Sequence, residues 1–204
     1  PVPPNVVWRQ DVGLFGGPTA PRVRPREPDP ALLGALQAFH AAPAAARCPF
    51  LAQLDRGLRA AGPGLLAARG TWDLLVRLYE ARGRDVPFAD YVWTWRAVHQ
   101  PLLRLLAVDL PDARVFHATS TGYAGLLTAL AKARLGAGTA LTEHGLFTRE
   151  REMEIFGAGW IYRPPAGRAN PAHERVFKGW WRAKFQALGA LTYGACDRVV
   201  TLHE

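Results

Sequence analysis

The sequence predicts an α/β protein, a Rossmann-like parallel sheet with a block of helices inserted ahead of it. Three short apolar runs, at 115–117, 139–142 and 198–202, each end in a polar or histidine-containing turn. The first two are separated by an apolar helical segment of crossover length, which makes one βαβ unit. Residues from about 30 to 108 carry apolar side chains at helical spacing instead. The strand runs do not alternate, as expected of strands covered on both faces in a doubly wound sheet. The whole chain, 1–204, reads as one domain with its helical insertion over about 30–108. It opens without an initiator Met and closes on an apolar run, so it is expected to be a piece truncated at both ends.

In chain order, Asn5–Trp8 is a brief β-prone run, expected to be a strand. Asp11–Pro30, rich in Gly, Pro and Arg, reads as a surface excursion. Its Gly16-Gly17 pair makes a poor phosphate loop, because Pro18 removes a backbone donor. Helices follow at Ala31–His40 and at Phe50–Ala61, where Phe50, Leu51, Leu54 and Leu58 share a face. Thr71 is placed to cap a helix over Trp72–Arg82, with Trp72, Leu75, Val76 and Tyr79 aligned. Phe88–Val108 carries a stripe of Phe88, Tyr91, Val92, Trp95, Val98, Leu102 and Leu106, with Pro101 expected to kink or restart the helix. Trp93 lies off that stripe beside Arg96 and Gln100, where it faces a groove or, on the plainer reading, covers a neighbouring helix, while His40 and His99 read as ordinary histidines.

The βαβ unit comes next. Val115-Phe116-His117 is its first strand, Ser120-Thr121-Gly122 the turn, and Tyr123–Leu135 the crossover helix. Gly136 and Gly138 end the helix, and Thr139–Thr142 leads to Glu143-His144-Gly145. Thr148 can cap a charged helix over Arg149–Phe156. Asn170-Pro171 starts the longest helix, to Cys196, with Val176, Trp180, Ala183, Ala187 and Leu191 as its apolar face, widened by Phe177 and Trp181. His173 reads as a surface residue, and Arg198–Leu202 is the third strand.

Composition excludes several classes. No apolar run approaches the roughly 18 residues that cross a membrane. The net charge of +8 is mostly arginine, as a GC-rich genome also produces, and it is spread over several helices. Nucleic-acid binding, which needs a continuous basic surface, is therefore the weakest reading, and salt-dependent retention on DNA would test it. Cys48 and Cys196 lie far apart with no metal-ligand spacing, which points to a reducing, cytoplasmic setting without zinc or disulfides. No GxGxxG, GxxxxGK[ST] or GxSxG pattern occurs.

Right-handed crossovers bring both strand ends to one edge, where open α/β sheets bind ligands. His117, Ser120, Glu143 and His144 are expected in the loops there. Ser120 or Thr121 can cap the helix, whose free N–H groups form an anion-binding position. Gly122 and Gly125 would permit close approach of a backbone or ligand. Adjacent residues on an extended segment point to opposite faces, so only one of Glu143 and His144 should face the cleft, and His144 is the choice. Each of these residues also has a plain structural reading, as a cap, a packing group or a solvated charge.

HATSTGYAGLLTALAKARLGAGTALTEHGLFTRERE, from His117 to Glu152, resembles the N-terminal domain of retaining GT-B glycosyltransferases. In particular it is similar to the Pel exopolysaccharide glycosyltransferase group. PNVV near the start and NPAHERVFKGWWRAKFQALGALTYGACDRVVTL near the end fit the same group. The resemblance implies a wall of the cleft that contacts the acceptor, with a second Rossmann-like domain holding a UDP-sugar as donor substrate. It implies His144 as the catalytic-site residue facing the donor sugar. Ser120, Gly122 and Tyr123 would line the cleft, with Thr121, His117, Glu143 and Gly145 beside them. Arg149 and Arg151 would reach a phosphate or the acceptor. No metal or other cofactor is implied, and the partners would be the donor domain and possible components of a membrane-bound polysaccharide synthesis complex. The chain departs from the group in lacking its first strand with a Gly-rich loop and its donor domain, so alone it is expected to be inactive. The reading from a different class is a non-catalytic module that binds carbohydrate or a partner through Tyr123, Phe147, Trp160, Tyr162 and the arginines.

Overall fold

The computed structural model describes residues 3–15, 26–41, 48–164, 167 and 169–202. The Gly16-Gly17-Pro18 turn and the terminal His203-Glu204 lie outside the described residues.

Four helices come first: α1 (Pro30–Ala41), α2 (Cys48–Ala61), α3 (Arg69–Arg82) and α4 (Phe88–Leu106), with a 3-10 turn at Gly62–Ala67. Then follow β1 (Val115–Ala118), α5 (Tyr123–Leu135), β2 (Gly138–Glu143), α6 (Phe147–Gly157), α7 (Pro171–Ala195) and β3 (Arg198–Thr201). The three strands form a parallel sheet in the order β1-β2-β3, with Ala118 opposite Leu141 and Leu141 opposite Val199. The expected α/β class, a parallel sheet with a block of helices ahead of it, is therefore observed.

Each boundary has a local cause. Helix α5 stops because Gly136 adopts φ +63°, the left-handed conformation that glycine takes at no steric cost, and its N–H bonds Lys132 O. Asn170 caps α7 by accepting from the Ala172 N–H at 2.9 Å, with Pro171 at the first helical position. Helix α3 corrects an expectation. It begins at Arg69, before Thr71, and its first turn is held from a distance by the Glu27 carboxylate, which accepts from Arg69 N and Gly70 N at 2.9 Å each. Those two bonds hold the Glu27 carboxyl below its usual range. Thr71 is buried inside the turn it was expected to cap. Nor does Thr148 cap α6: the helix starts at Phe147, with Leu146 as its cap position and no side-chain bond there. Helix α4 runs through buried Pro101 as one 19-residue element.

The Asn5–Trp8 run forms no strand: Val7 is 99% exposed and pairs with nothing in the sheet. β propensity records fit to a pleated, half-buried surface, and these residues lie against none. Trp93 is 69% exposed.

Sheet coverage also differs from expectation. Burial along β2 alternates, with Thr139, Leu141 and Glu143 inside, and all of β3 is exposed. Two crossovers of the same hand that advance in the same direction place both connections on one face. Accordingly α5 packs on β1 and β2, α7 packs on α5 and β2, and the other face is uncovered by described residues. Gly125 makes the α5–α7 approach possible, since a Cβ there would lie 2.1 Å from Thr192 Oγ1. This sets the rotation of α7. Its buried line is Phe177, Trp181, Lys184, Leu188 and Leu191, whereas Val176, expected inside, is 38% exposed.

Two clusters fill the interior. Leucines of α1 and α2 (Leu32, Leu36, Leu54, Leu58) pack with Leu126 and Leu130 of α5 and with Leu188 and Leu191 of α7. The second cluster joins Tyr91, Trp95 and Val98 of α4 to Phe177 and Trp181 of α7 and Ile155 of α6. Its rings meet edge-to-face, as at Tyr91 and Trp180 (4.8 Å, 87°). Arg134, at the end of α5, pins the helical block to the sheet domain. Its side chain pairs with Asp55 of α2 and donates to the carbonyls of Leu106 at 2.5 Å and Val108 at 2.6 Å.

Candidate functional site

The parallel register carries β1 and β2 to the same edge, and the two loops that leave them touch. Gly122 adopts φ +74°, and a Cβ there would lie 2.7 Å from the ring of Phe147, the first residue of α6. The turn 119–122 and the turn 144–146 are thus seated against one another, with glycine required by both backbone and space. Gly145 is similarly close to Glu150, where a Cβ would lie 2.2 Å from Oε1.

His117 and Glu143 belong to the strands rather than to the loops expected for them. His117 stands on the uncovered face of the sheet, exposed, with Nε2 2.8 Å from Thr142 Oγ1. Glu143 points the other way and is 6% exposed. Its Oε1 accepts from the Tyr193 hydroxyl at 2.9 Å. That phenol is pushed up to about 12 by burial first, and then by the hydrogen bond and charge of Glu143. His144, the next residue, is exposed at the strand end. The opposed orientation expected of this pair is what the chain adopts.

Neither Ser120 nor Thr121 caps α5. Gly122 occupies the cap position, Ser120 Oγ donates to Thr121 O at 3.3 Å, and Thr121 Oγ1 is buried without a hydrogen-bond partner among the described residues. Tyr123 begins the helix and turns inward, its hydroxyl accepting from Lys184 Nζ at 2.8 Å. Burial pushes the Tyr123 phenol up to about 12, a little offset by Arg151. The charged helix α6 divides its arginines. Arg149 is exposed, whereas half-buried Arg151 pairs with Glu154 and lies over the rings of Phe147 at 5.2 Å and Phe185 at 5.7 Å. Arg151 is thus a packing cation as much as a ligand-facing one. Glu152 pairs with Arg182 of α7 at 3.0 Å.

The structure therefore brings together Gly122, Tyr123, Phe147 and Arg151 around one contact, with Ser120 and His144 in the two abutting turns. His117 is separated from them by its place on the open face. Sequence reasoning missed Tyr193 and Lys184. Both lie on α7, far along the chain, and only the helix rotation shows that they reach Glu143 and Tyr123. His173 was expected at the surface; it is half-buried between Tyr162 and the Asn170 cap, at 3.2 Å and 3.1 Å.

Among the described residues no helix is long and apolar enough to cross a membrane. Comparison with protein families gives a match over residues 29–204 to a family described as a domain of unknown function, DUF3492. No curated protein and no solved structure matches.

Proposed function

The chain belongs to the DUF3492 family, and we infer that it is the acceptor-side domain of a retaining GT-B glycosyltransferase. Association of that family with GT-B glycosyltransferases supports the reading. The proposed reaction moves a hexose from a UDP-sugar to a growing exopolysaccharide of the Pel type, in the cytoplasm where nucleotide sugars are made.

The observation that carries it is the division of labour between Glu143 and His144. Glu143 is locked inward by Tyr193, which leaves the imidazole of His144 exposed at the carboxyl end of β2, beside the turn 119–122. An imidazole so placed can donate to a sugar hydroxyl or stabilise charge developing near the reacting carbon. Ser120 and the free N–H groups at the start of α5 offer donors to an acceptor hydroxyl or an anionic group. Arg149, exposed on the first turn of α6, adds a cation for phosphate or an acidic acceptor.

The test is turnover of UDP-hexoses by the full-length protein and its His144→Ala variant. Transfer should fall by about 10²-fold or more, the usual scale for losing a general acid–base group, with an unchanged thermal unfolding curve. Equal turnover would remove His144 from the site. Polysaccharide binding with no turnover by the parent protein would favour the non-catalytic module instead.

A further inference from the structure

Helix α7 opens on three side chains that hold one another in place. The Asn170 Oδ1 accepts from the Ala172 N–H at 2.9 Å, which caps the helix and fixes the orientation of the amide. The amide Nδ2 is then the atom left to face His173, and it lies 3.1 Å from Nε2 of that ring. The other ring nitrogen, Nδ1, is 3.2 Å from the Tyr162 hydroxyl. Tyr162 also packs on Phe177, one turn further along α7, with ring centroids 5.5 Å apart. It belongs to the segment 158–164 that follows α6, whose exposed Trp160 meets Trp181 edge-to-face at 5.1 Å.

These bonds admit one protonation state of the imidazole. An amide nitrogen has only hydrogens to offer, so Nε2 must present its lone pair to Asn170. A ring with a bare Nε2 carries its proton on Nδ1, and that N–H donates to the Tyr162 oxygen. Desolvation, and then the charge of Asp90, raise the Tyr162 phenol above its usual value, which keeps it a neutral hydroxyl. A second proton on the ring would point Nε2–H at the hydrogens of Asn170 Nδ2. Asn170 can satisfy the charged ring only by turning its oxygen toward it, and that oxygen is the cap of α7.

We propose that Tyr162, His173 and Asn170 form a pH-sensitive latch at the start of α7, closed while the imidazole is neutral and opened by its protonation. In the closed state the ring ties the segment 158–164, through Tyr162, to the capped first turn of α7. Acid sets two donors against each other, the Asn170 oxygen leaves Ala172, and the first turn loses its cap. The segment that leans on that turn, with Trp160 at its surface, loosens with it. The proposal stands independently of the glycosyltransferase reading.

The charged groups around the ring leave this conflict in place. Glu174, the next residue of α7, pairs with Lys178 at 2.8 Å, and Arg175 follows it. Arg163, beside Tyr162, donates to Gly159 O at 3.3 Å. Asp90 of α4 acts on the Tyr162 hydroxyl. Among the described residues the ring's own hydrogen bonds go to Tyr162 and Asn170, so no carboxylate stands ready to accept from Nε2–H.

Two measurements test the latch. Long-range 1H–15N spectra of the imidazoles at pH 8, with His173 identified by the signal missing from His173→Gln, should show Nδ1 protonated and Nε2 bare. A protonated Nε2 there overturns the proposal. The second measurement is the hydrogen-exchange protection of the Ala172 amide at pH 5 and 7.5, corrected for the intrinsic exchange rate. Protection in the parent should fall by about fivefold or more in acid, the scale of losing a helix N-cap. Asn170→Asp keeps a capping oxygen and offers the charged ring an acceptor, so its pH dependence should invert, with protection highest at pH 5. Lys184, held down to about 7 by burial, is common to both proteins and cancels from their comparison. Protection that ignores pH in the parent, or that falls in acid for Asn170→Asp as it does in the parent, overturns the proposal.

Discussion

The Tyr193 hydroxyl donates to the buried Glu143 carboxylate across 2.9 Å, joining the last turns of α7 to the end of β2. The bond gives Glu143 a partner on the covered face of β2, where the alternation with Thr139 and Leu141 places it, and His144 is exposed beyond the strand end.

Replacing Tyr193 with Phe leaves Glu143 buried without that donor. A hydrogen bond to a buried polar partner of this kind contributes roughly 1–3 kcal/mol, and urea unfolding of Tyr193→Phe should show a loss in that range. Transfer by the full-length protein should fall as well, because the turn that carries His144 is freed. A variant as stable as the parent would show that Glu143 finds another donor.

Gly122 is constrained twice, by φ +74° and by the Phe147 ring 2.7 Å from where a Cβ would sit. Gly122→Ala should destabilise by about 2 kcal/mol or more, since a side chain in a sparsely populated backbone region alone costs of order 1–3 kcal/mol. The double variant Gly122→Ala/Phe147→Ala relieves the clash and leaves the backbone strain. Thermal unfolding of the double variant should therefore show less than the sum of the two single losses. Full additivity would mean that the two residues do not meet.

Lys184 gives stability a pH dependence. Its folded value of about 7 lies below its ordinary 10.5, so between these values the unfolded chain holds a proton that the folded chain lacks. Stability should then rise with pH from about 7 toward 10, while the penalty is present in full below 7. Tyr123, held up to about 12, reverses the trend above pH 10. Lys184→Met should be the more stable protein at pH 6, by on the order of a few kcal/mol, with the gap closing toward pH 9.5. Denaturant titrations at the two pH values give the answer, and a constant gap counts against a buried amine.

Much of the sheet domain was legible because its signals are local. Gly136 ends α5 by its own backbone, Asn170-Pro171 opens α7 by its own side chain and ring, and the apolar runs of β1 and β2 are bounded by turn residues. What escaped is non-local. The cap of α3 comes from Glu27, some 42 residues before Arg69, and no pattern around Thr71 announces it. The inward rotation of α7 follows Gly125 meeting Thr192, so the apolar face read from the sequence includes Val176 and leaves out Lys184. Asn5–Trp8 has the composition of a strand but no neighbouring strand, and composition cannot supply one. At the site, the sequence showed that Glu143 and His144 must diverge. It did not show which of them turns inward, or that Tyr193 of α7 supplies the hydrogen bond there.

Arg134 has a consequence for folding order. It clamps the end of α5 to Asp55, 79 residues earlier, and to the carbonyls that finish α4. Closing a loop of that length is slow beside the pairing of β1 with β2 across one helix. The clamp is expected to form after the rate-limiting step, so that a cut there would open the protein faster without delaying its assembly. In stopped-flow chevrons, Arg134→Met should steepen the loss entirely on the unfolding arm, by about 10²-fold for a broken buried ion pair worth roughly 3 kcal/mol. A slower refolding arm would instead place the helical block in the folding nucleus.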